Sequence, residues 1–260
     1  MDLTVPPAVV AAVSARWPDR GADWESSVAS ELVELCRRFD CQPTEVLNAR
    51  YGLVVAVNSS VGPLVLKSTP DPDGARQAAA ARQLAELGIG PAVHDVVQFE
   101  FSTWTVMDCV QPGTHAIRSA SLPELAELLR PFRTAPATFE FPPISLWLKA
   151  RLVDDSVVDL PPGIPAAGLK ERERALPVLA ALVDNESGRL CHGDVSSGNV
   201  LRGVSGLQLI DPRAVSGDVE YDVAVLALKA GRKVADLAQL LGVDTARAEA
   251  WGTVAIAARV

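Results

Sequence analysis

The chain has 260 residues, 24 Lys and Arg against 32 Asp and Glu, and a formal net charge of −8. Hydrophobic residues make up 48% and charged residues 22%, which excludes disorder, a collagen-like repeat and a disulfide-stapled miniprotein. No apolar run approaches the roughly 18 residues of a membrane span. The start lacks a basic stretch followed by an apolar core, so no secretory leader is read there and a cytoplasmic location is expected. A pI near 5.0 is the wrong balance for a general nucleic-acid binder, and it suits a cationic small-molecule ligand. Cys36, Cys41, Cys109 and Cys191 are scattered, and His94, His115 and His192 stand far apart. No zinc-ligand spacing emerges, and reduced thiols are expected.

Residues 25–39 place Val28, Leu32, Leu35 and Phe39 on one helical face, with Pro43 following shortly after. Leu53–Val57 and Leu64–Leu66 flank the turn signal Asn58-Ser59-Ser60 with Gly62-Pro63, which predicts a hairpin whose second strand ends at Lys67. Thr69–Gly74 reads as a loop, and Ala75–Leu87 as an alanine-rich helix stopped by Gly88 and Gly90-Pro91. Val93–Val97 and Phe99–Met107 read as two more strands. After Gln111-Pro112-Gly113 the character changes to helix: Leu122–Arg130, Leu169–Val183 with Pro177 inside, Tyr221–Lys229, Lys233–Leu241 and Thr245–Ala258, with one short strand at Leu207–Ile210. Strands first and helices afterwards predict an α+β chain of two lobes, 1–110 and 111–260.

The chemistry concentrates in Leu190–Asp222. His192-Gly193-Asp194 is followed by Asn199, five residues after the aspartate, and by Asp211 at the end of an apolar strand. Transfer of a γ-phosphoryl group needs a carboxylate that orients the attacking hydroxyl and accepts its proton. It also needs oxygen ligands that hold Mg²⁺ against the phosphates, and one Asp with one Asn amide oxygen are the right types. A phosphate-binding G-x4-G-K-[ST] loop, a G-x-S-x-G elbow and a strand-borne G-x-G-x-x-G are all absent.

The pattern H-G-D-x4-N … I-D resembles the catalytic loop and metal aspartate of protein-kinase-like phosphotransferases, and specifically the aminoglycoside phosphotransferase family. Ile210–Asp222 is similar to the I-D-P-x-x-x-x-G-D-x-x-Y-D run of its streptomycin/hydroxyurea kinase branch. Met107–Gly113 resembles the family's hinge, and Val65-Leu66-Lys67 its strand lysine. The resemblance spans residues 46–230 and implies a protein-kinase-like fold, with a small β-rich N-lobe that binds ATP and a larger helical C-lobe that carries the catalytic loop.

By the same resemblance Asp194 would be the catalytic base, with His192 bracing the loop. Asn199 and Asp211 would ligate Mg²⁺, Lys67 would grip the nucleotide phosphates, and the backbone of Asp108, Cys109 and Val110 would hold adenine. Asp222 would fix the loop from the following helix, the turn Asn48–Gly52 would cover the phosphates, and Asp218 and Glu220 would lie near a cationic substrate. Two departures stand out. The helix glutamate that pairs with the strand lysine is replaced by Ala80, with Gln77 or Glu86 as substitutes, and the chain reaches Val260 sooner than family members usually run, so a substrate-lobe helix is expected to be absent, shortened or outside this stretch of sequence. The expected activity is an ATP- and Mg²⁺-dependent small-molecule kinase acting on an aminoglycoside-like hydroxyl, streptomycin-type first, with antibiotic resistance as the outcome. A nucleotide-binding pseudokinase or interaction module, or a kinase of an amino alcohol or sugar, are the alternatives.

Overall fold

The computed structural model describes residues 4–137, 140–154, 160, 164–184 and 186–260. It is an α+β structure of two compact units, Met1–Val110 and Gln111–Val260. Among the described residues no helix is long and apolar enough to cross a membrane.

The first unit begins with α1 (Pro7–Arg16) and α2 (Gly21–Arg38), followed by the strands β1 (Cys41–Leu47), β2 (Leu53–Ser59) and β3 (Gly62–Thr69). Helix α3 (Gly74–Glu86) precedes β4 (Val93–Gln98) and β5 (Thr103–Asp108). The strands form one antiparallel sheet in the order β1-β2-β3-β5-β4, so β3 is its central strand. Alternation along a strand sends successive side chains to opposite faces. Leu53, Val55, Val57, Leu64, Leu66, Trp104 and Val106 are buried against Val9, Val13, Trp24, Val28, Leu32 and Leu35 of α1 and α2. Lys67 pairs in register with Val54 and Thr105, and therefore sits on the other face. That face also carries Val54, Ala56, Val65 and Met107, all half-buried. The strand continues past Lys67 to Thr69, two residues beyond the expected end.

The second unit opens with β6 (Pro112–His115), α4 (Leu122–Leu129) and a single 3₁₀ turn, Arg130–Arg133. Ser121 and Glu124 form a reciprocal capping box at the start of α4, a device worth about 0.5–2 kcal/mol. Then come α5 (Ile144–Val153), α6 (Leu169–Val183), β7 (Arg189–Cys191), β8 (Val200–Gly203), β9 (Gly206–Leu209), β10 (Val215–Gly217), α7 (Val219–Ala230), α8 (Val234–Leu241) and α9 (Thr245–Ala257). Strand β10 pairs with β7, and β8 lies between β6 and β9. The core gathers Leu148 and Leu152 of α5, Leu179 of α6, Tyr221 and Val225 of α7, and Trp251 and Val254 of α9. Tyr221 and Trp251 meet edge to face at 5.7 Å.

Candidate active site

The loop after β7 is positioned by backbone bonds that its own sequence makes possible. Gly193 has φ of +80°, and a Cβ there would lie 2.5 Å from Val215 Cγ2, so glycine is required on both counts. Asp222 on α7 is fully buried and accepts the two consecutive N–H groups of the loop, from His192 to Oδ2 at 2.8 Å and from Gly193 to Oδ1 at 3.0 Å. Tyr221 donates its hydroxyl to the Gly193 carbonyl at 3.2 Å. Burial pushes the Asp222 carboxyl up to about 7, against the pull of the Gly193 and His192 N–H groups.

His192 is fully buried and both of its ring nitrogens are engaged by backbone. Nε2 donates to the Ile210 carbonyl at 3.0 Å, and Nδ1 accepts from the Asp194 N–H at 3.3 Å. This pairing specifies the neutral tautomer protonated on Nε2, and burial lowers the pKa in the same direction. The imidazole has no nitrogen left for a substrate proton, so it acts as a brace between the loop and the segment that follows β9.

Asn199 and Asp211 come together through one hairpin. Val200 pairs with Leu209 at the open end of β8 and β9, and the Ile210 N–H donates to the Asn199 carbonyl at 3.0 Å. Asp211 is the next residue, and twelve residues of sequence separation collapse to adjacent ends of two strands. The Asn199 amide donates Nδ2 to the Asp194 carbonyl at 2.9 Å, which leaves its amide oxygen as the atom that could face a cation. Asp211 has φ of 58°, a left-handed backbone that aspartate tolerates better than most residues and that recurs at functional sites. Among the described residues no cluster of three or more His, Cys, Asp and Glu side chains could hold a metal by itself. An Asp and an Asn oxygen fit Mg²⁺, which takes a few protein ligands and completes its shell with phosphate oxygens and water.

The Asp194 carboxylate, a third exposed, has Arg213 Nη2 at 3.5 Å from Oδ2. Asp218, expected near a cationic substrate, is instead held inside the fold. Its carboxylate is 3% exposed and already takes the Ser187 N–H at 2.8 Å, the Trp251 indole N–H at 3.0 Å and the Arg247 guanidinium, whose Nε donates at 2.7 Å. Asp218 ties the turn before β7 to α9. Glu220 is half-buried in the first turn of α7.

In the first unit, Gly52 of the turn between β1 and β2 lies so close to β3 that a Cβ would stand 2.1 Å from the Ser68 carbonyl oxygen. Only glycine lets that turn lie against the strand that carries Lys67. Two backbone donors of the expected hinge are already taken. The Asp108 N–H is committed to the Ala92 carbonyl at 2.9 Å and the Cys109 N–H to Pro63 at 3.1 Å, while the Asp108 carboxylate meets His94 at 2.6 Å. Val110 carries the remaining backbone donor of this stretch. On α3, Ala80 and Gln83 face inward, Glu86 is exposed, and Gln77 bonds Asp71 at 2.9 Å. Gln77 and Glu86 are therefore ill-placed to stand in for the family's glutamate. The carboxylate that the unit does bury, Glu31 on α2, accepts from Ser102 at 2.6 Å, Trp104 at 2.7 Å and Ser27 at 2.8 Å. Trp104 pairs with Ser68, so this cluster lies on the face opposite Lys67.

The model of the phosphotransferase enzyme family matches residues 45–256. The chain belongs to that family, and it is a phosphotransferase with an alcohol group as acceptor. No curated protein matches the sequence. Among solved structures, a choline/ethanolamine kinase family protein from Mesorhizobium loti is similar at 20% identity and a TM-score of 0.64, over 84% of this chain and 77% of that one. Aminoglycoside-3'-phosphotransferase of type VIII is similar at 21% identity and a TM-score of 0.60, over 87% and 97%. A thermostable mutant of aminoglycoside phosphotransferase APH(4)-Ia, in ternary complex with AMP-PNP and hygromycin B, is similar at 17% identity and a TM-score of 0.58, over 85% and 87%. At these identities the structural likeness carries the fold, and the acceptor is a separate question.

Proposed function

We propose that the chain is an ATP- and Mg²⁺-dependent kinase that phosphorylates a hydroxyl of an aminoglycoside-like small molecule, with a streptomycin-type acceptor first and drug resistance as the consequence. The observation that carries the proposal is the hairpin that brings Asn199 and Asp211 to adjacent strand ends, beside the braced loop that bears Asp194.

In this reading Asp194 orients the acceptor hydroxyl and takes its proton as the new O–P bond forms. The bond from the γ-phosphorus to the bridging oxygen breaks, and ADP leaves. Asn199 and Asp211 hold Mg²⁺, which when bound neutralises the phosphate oxygens. Lys67 binds the nucleotide phosphates, and the half-buried face of Val54, Ala56, Val65 and Met107 takes the adenine, with Val110 N–H as its hinge donor. In this reading Gln83, the polar side chain that α3 buries, takes the place of the missing glutamate. The net charge of −8 draws a cationic acceptor toward the protein, and a cytoplasmic setting supplies the ATP.

A second reading, a kinase of an amino alcohol, is favoured by the similarity to the choline/ethanolamine kinase family protein. A pseudokinase is favoured by Ala80 and by the single glycine of the turn Asn48–Gly52. ATP consumption with Mg²⁺ across streptomycin, other aminoglycosides, choline and ethanolamine separates the three. Turnover with streptomycin supports the proposal, and turnover only with choline or ethanolamine replaces the acceptor. No turnover, with ATP still raising the melting temperature, leaves the pseudokinase.

A further inference from the structure

We infer that Arg213, clamped on the ring of Trp147, is the positioning residue of the catalytic base Asp194. The inference rests on the assignment of Asp194 given above and extends it to two residues with no role so far. Among the described residues, Arg213 is the side chain that bonds the Asp194 carboxylate, at 3.5 Å from Nη2 to Oδ2. The loop backbone is fixed by Asp222, Tyr221 and His192, yet none of these touches the carboxylate itself. Its orientation is left to Arg213.

Arg213 is held in turn at both ends. Its backbone N–H donates to the His192 carbonyl at 2.8 Å, so it moves with the loop. Its guanidinium lies 4.1 Å from the centroid of the Trp147 ring. The same ring takes Arg151 at 4.6 Å, and Arg151 donates Nε to the Ala258 carbonyl at 2.8 Å. The Trp147 ring is thereby tied to the end of α9, and the guanidinium that rests on it has a fixed seat. Arg213 Nε is buried with no hydrogen-bond partner, so hydrogen bonding at Nε does not explain the pose. Stacking and the charge of Asp194 hold it. A flat cation on an aromatic face is a role that lysine fills poorly.

The test compares Arg213→Met, Arg213→Lys, Trp147→Leu and the Arg213→Met/Trp147→Leu double variant, with melting temperature as the folding control. With the best acceptor from the panel, Arg213→Met is expected to lower kcat by about 10²-fold, the scale of a misplaced catalytic group. KM for ATP should stay within about twofold, because Arg213 binds no part of the nucleotide in this scheme. Arg213→Lys restores part of the loss. The double variant matches Arg213→Met, because the ring acts through the guanidinium. A kcat for Arg213→Met within about threefold of native, or fully additive losses, overturns the inference. So does a rise in KM for ATP that tracks the fall in kcat. If Arg213→Met does not fold, the native, lysine and Trp147→Leu proteins still read the clamp, and unchanged kcat in both variants overturns it. If the native protein turns over no acceptor, the functional reading falls by itself. Hydrolysis of Mg-ATP by water then reads Arg213 directly, and equal rates with and without it refute the role.

Discussion

Replacing Asp222 with Asn tests whether the catalytic loop hangs on one carboxylate. Asparagine keeps the shape, offers a single acceptor oxygen and turns an NH₂ group toward the second backbone N–H. Against the ionised carboxylate this gives up a charge-assisted bond and leaves a buried N–H unsatisfied, whereas against the protonated carboxyl, which also has one acceptor oxygen, little bonding is lost. Opposing this is the relief of a buried charge. The folded carboxyl titrates at about 7 rather than 3.8, chiefly through burial. That gap withholds about 4 kcal/mol of folding free energy once the group is ionised. A carboxyl raised in this way contributes fully below its unfolded pKa, and the contribution is lost as the pH rises from about 4 through about 7. At about pH 8 the native carboxyl is ionised and the gap, which already includes the pull of the two N–H groups, is withheld in full, so the variant should be more stable than native by up to about 4 kcal/mol. At about pH 5 the native carboxyl is protonated and, like the amide, turns a hydrogen-bearing group toward the second N–H, so the two proteins should unfold within about 2 kcal/mol of each other. Turnover should fall by about 10²-fold at both pH values. Urea unfolding and kcat at the two pH values check this. Equal relative stability at both, with unimpaired turnover, refutes the reasoning.

Asn199→Ala and Asp211→Ala should each raise the Mg²⁺ concentration needed for half-maximal turnover, by at least about tenfold if each supplies one charged or charge-assisted contact of about 1.4 kcal/mol. A Mg²⁺ titration of the rate checks it, and an unchanged midpoint removes that residue from the metal site. Glu31→Ala should destabilise the first unit by about 2–4 kcal/mol, since it strands the Trp104 indole N–H and the Ser102 hydroxyl in the buried interior. Thermal unfolding followed by tryptophan fluorescence reads it, and a native melting curve would show that the cluster carries no stability.

Much of this structure was legible in the residues. The hairpin before Lys67 was read because its strands are β-branched and its turn is polar and glycine-bearing. Helix α6 was read at its observed bounds. The loop motif was read because its chemistry requires side chains at fixed spacing. Other elements left no local signature. Helix α1 begins on Pro7, next to Pro6, a pair that resembles a loop although Pro suits the first helical turn. Helix α5 buries Ile144, Leu148 and Leu152 but also exposes Leu146 and Val153, which blurs its periodicity. Strand β1 contains Pro43, which an edge strand tolerates at a register irregularity. The three-residue strands β7 and β10 are too short for any alternation to show. Within the site, the burial of Asp218 depends on Arg247 and Trp251, about thirty residues downstream, and the seat of the Arg213 guanidinium depends on Trp147 of α5. Such pairings are set by tertiary packing and are silent in a linear pattern.

The most direct measurement is mass spectrometry of streptomycin after incubation with Mg-ATP and either the native protein or Asp194→Ala. The native protein should add one phosphoryl group per ADP released. The variant, folded to the same melting temperature, should be slower by about 10²–10⁴-fold. Phosphorylation by the variant at the native rate would contradict the assignment of Asp194 as the base.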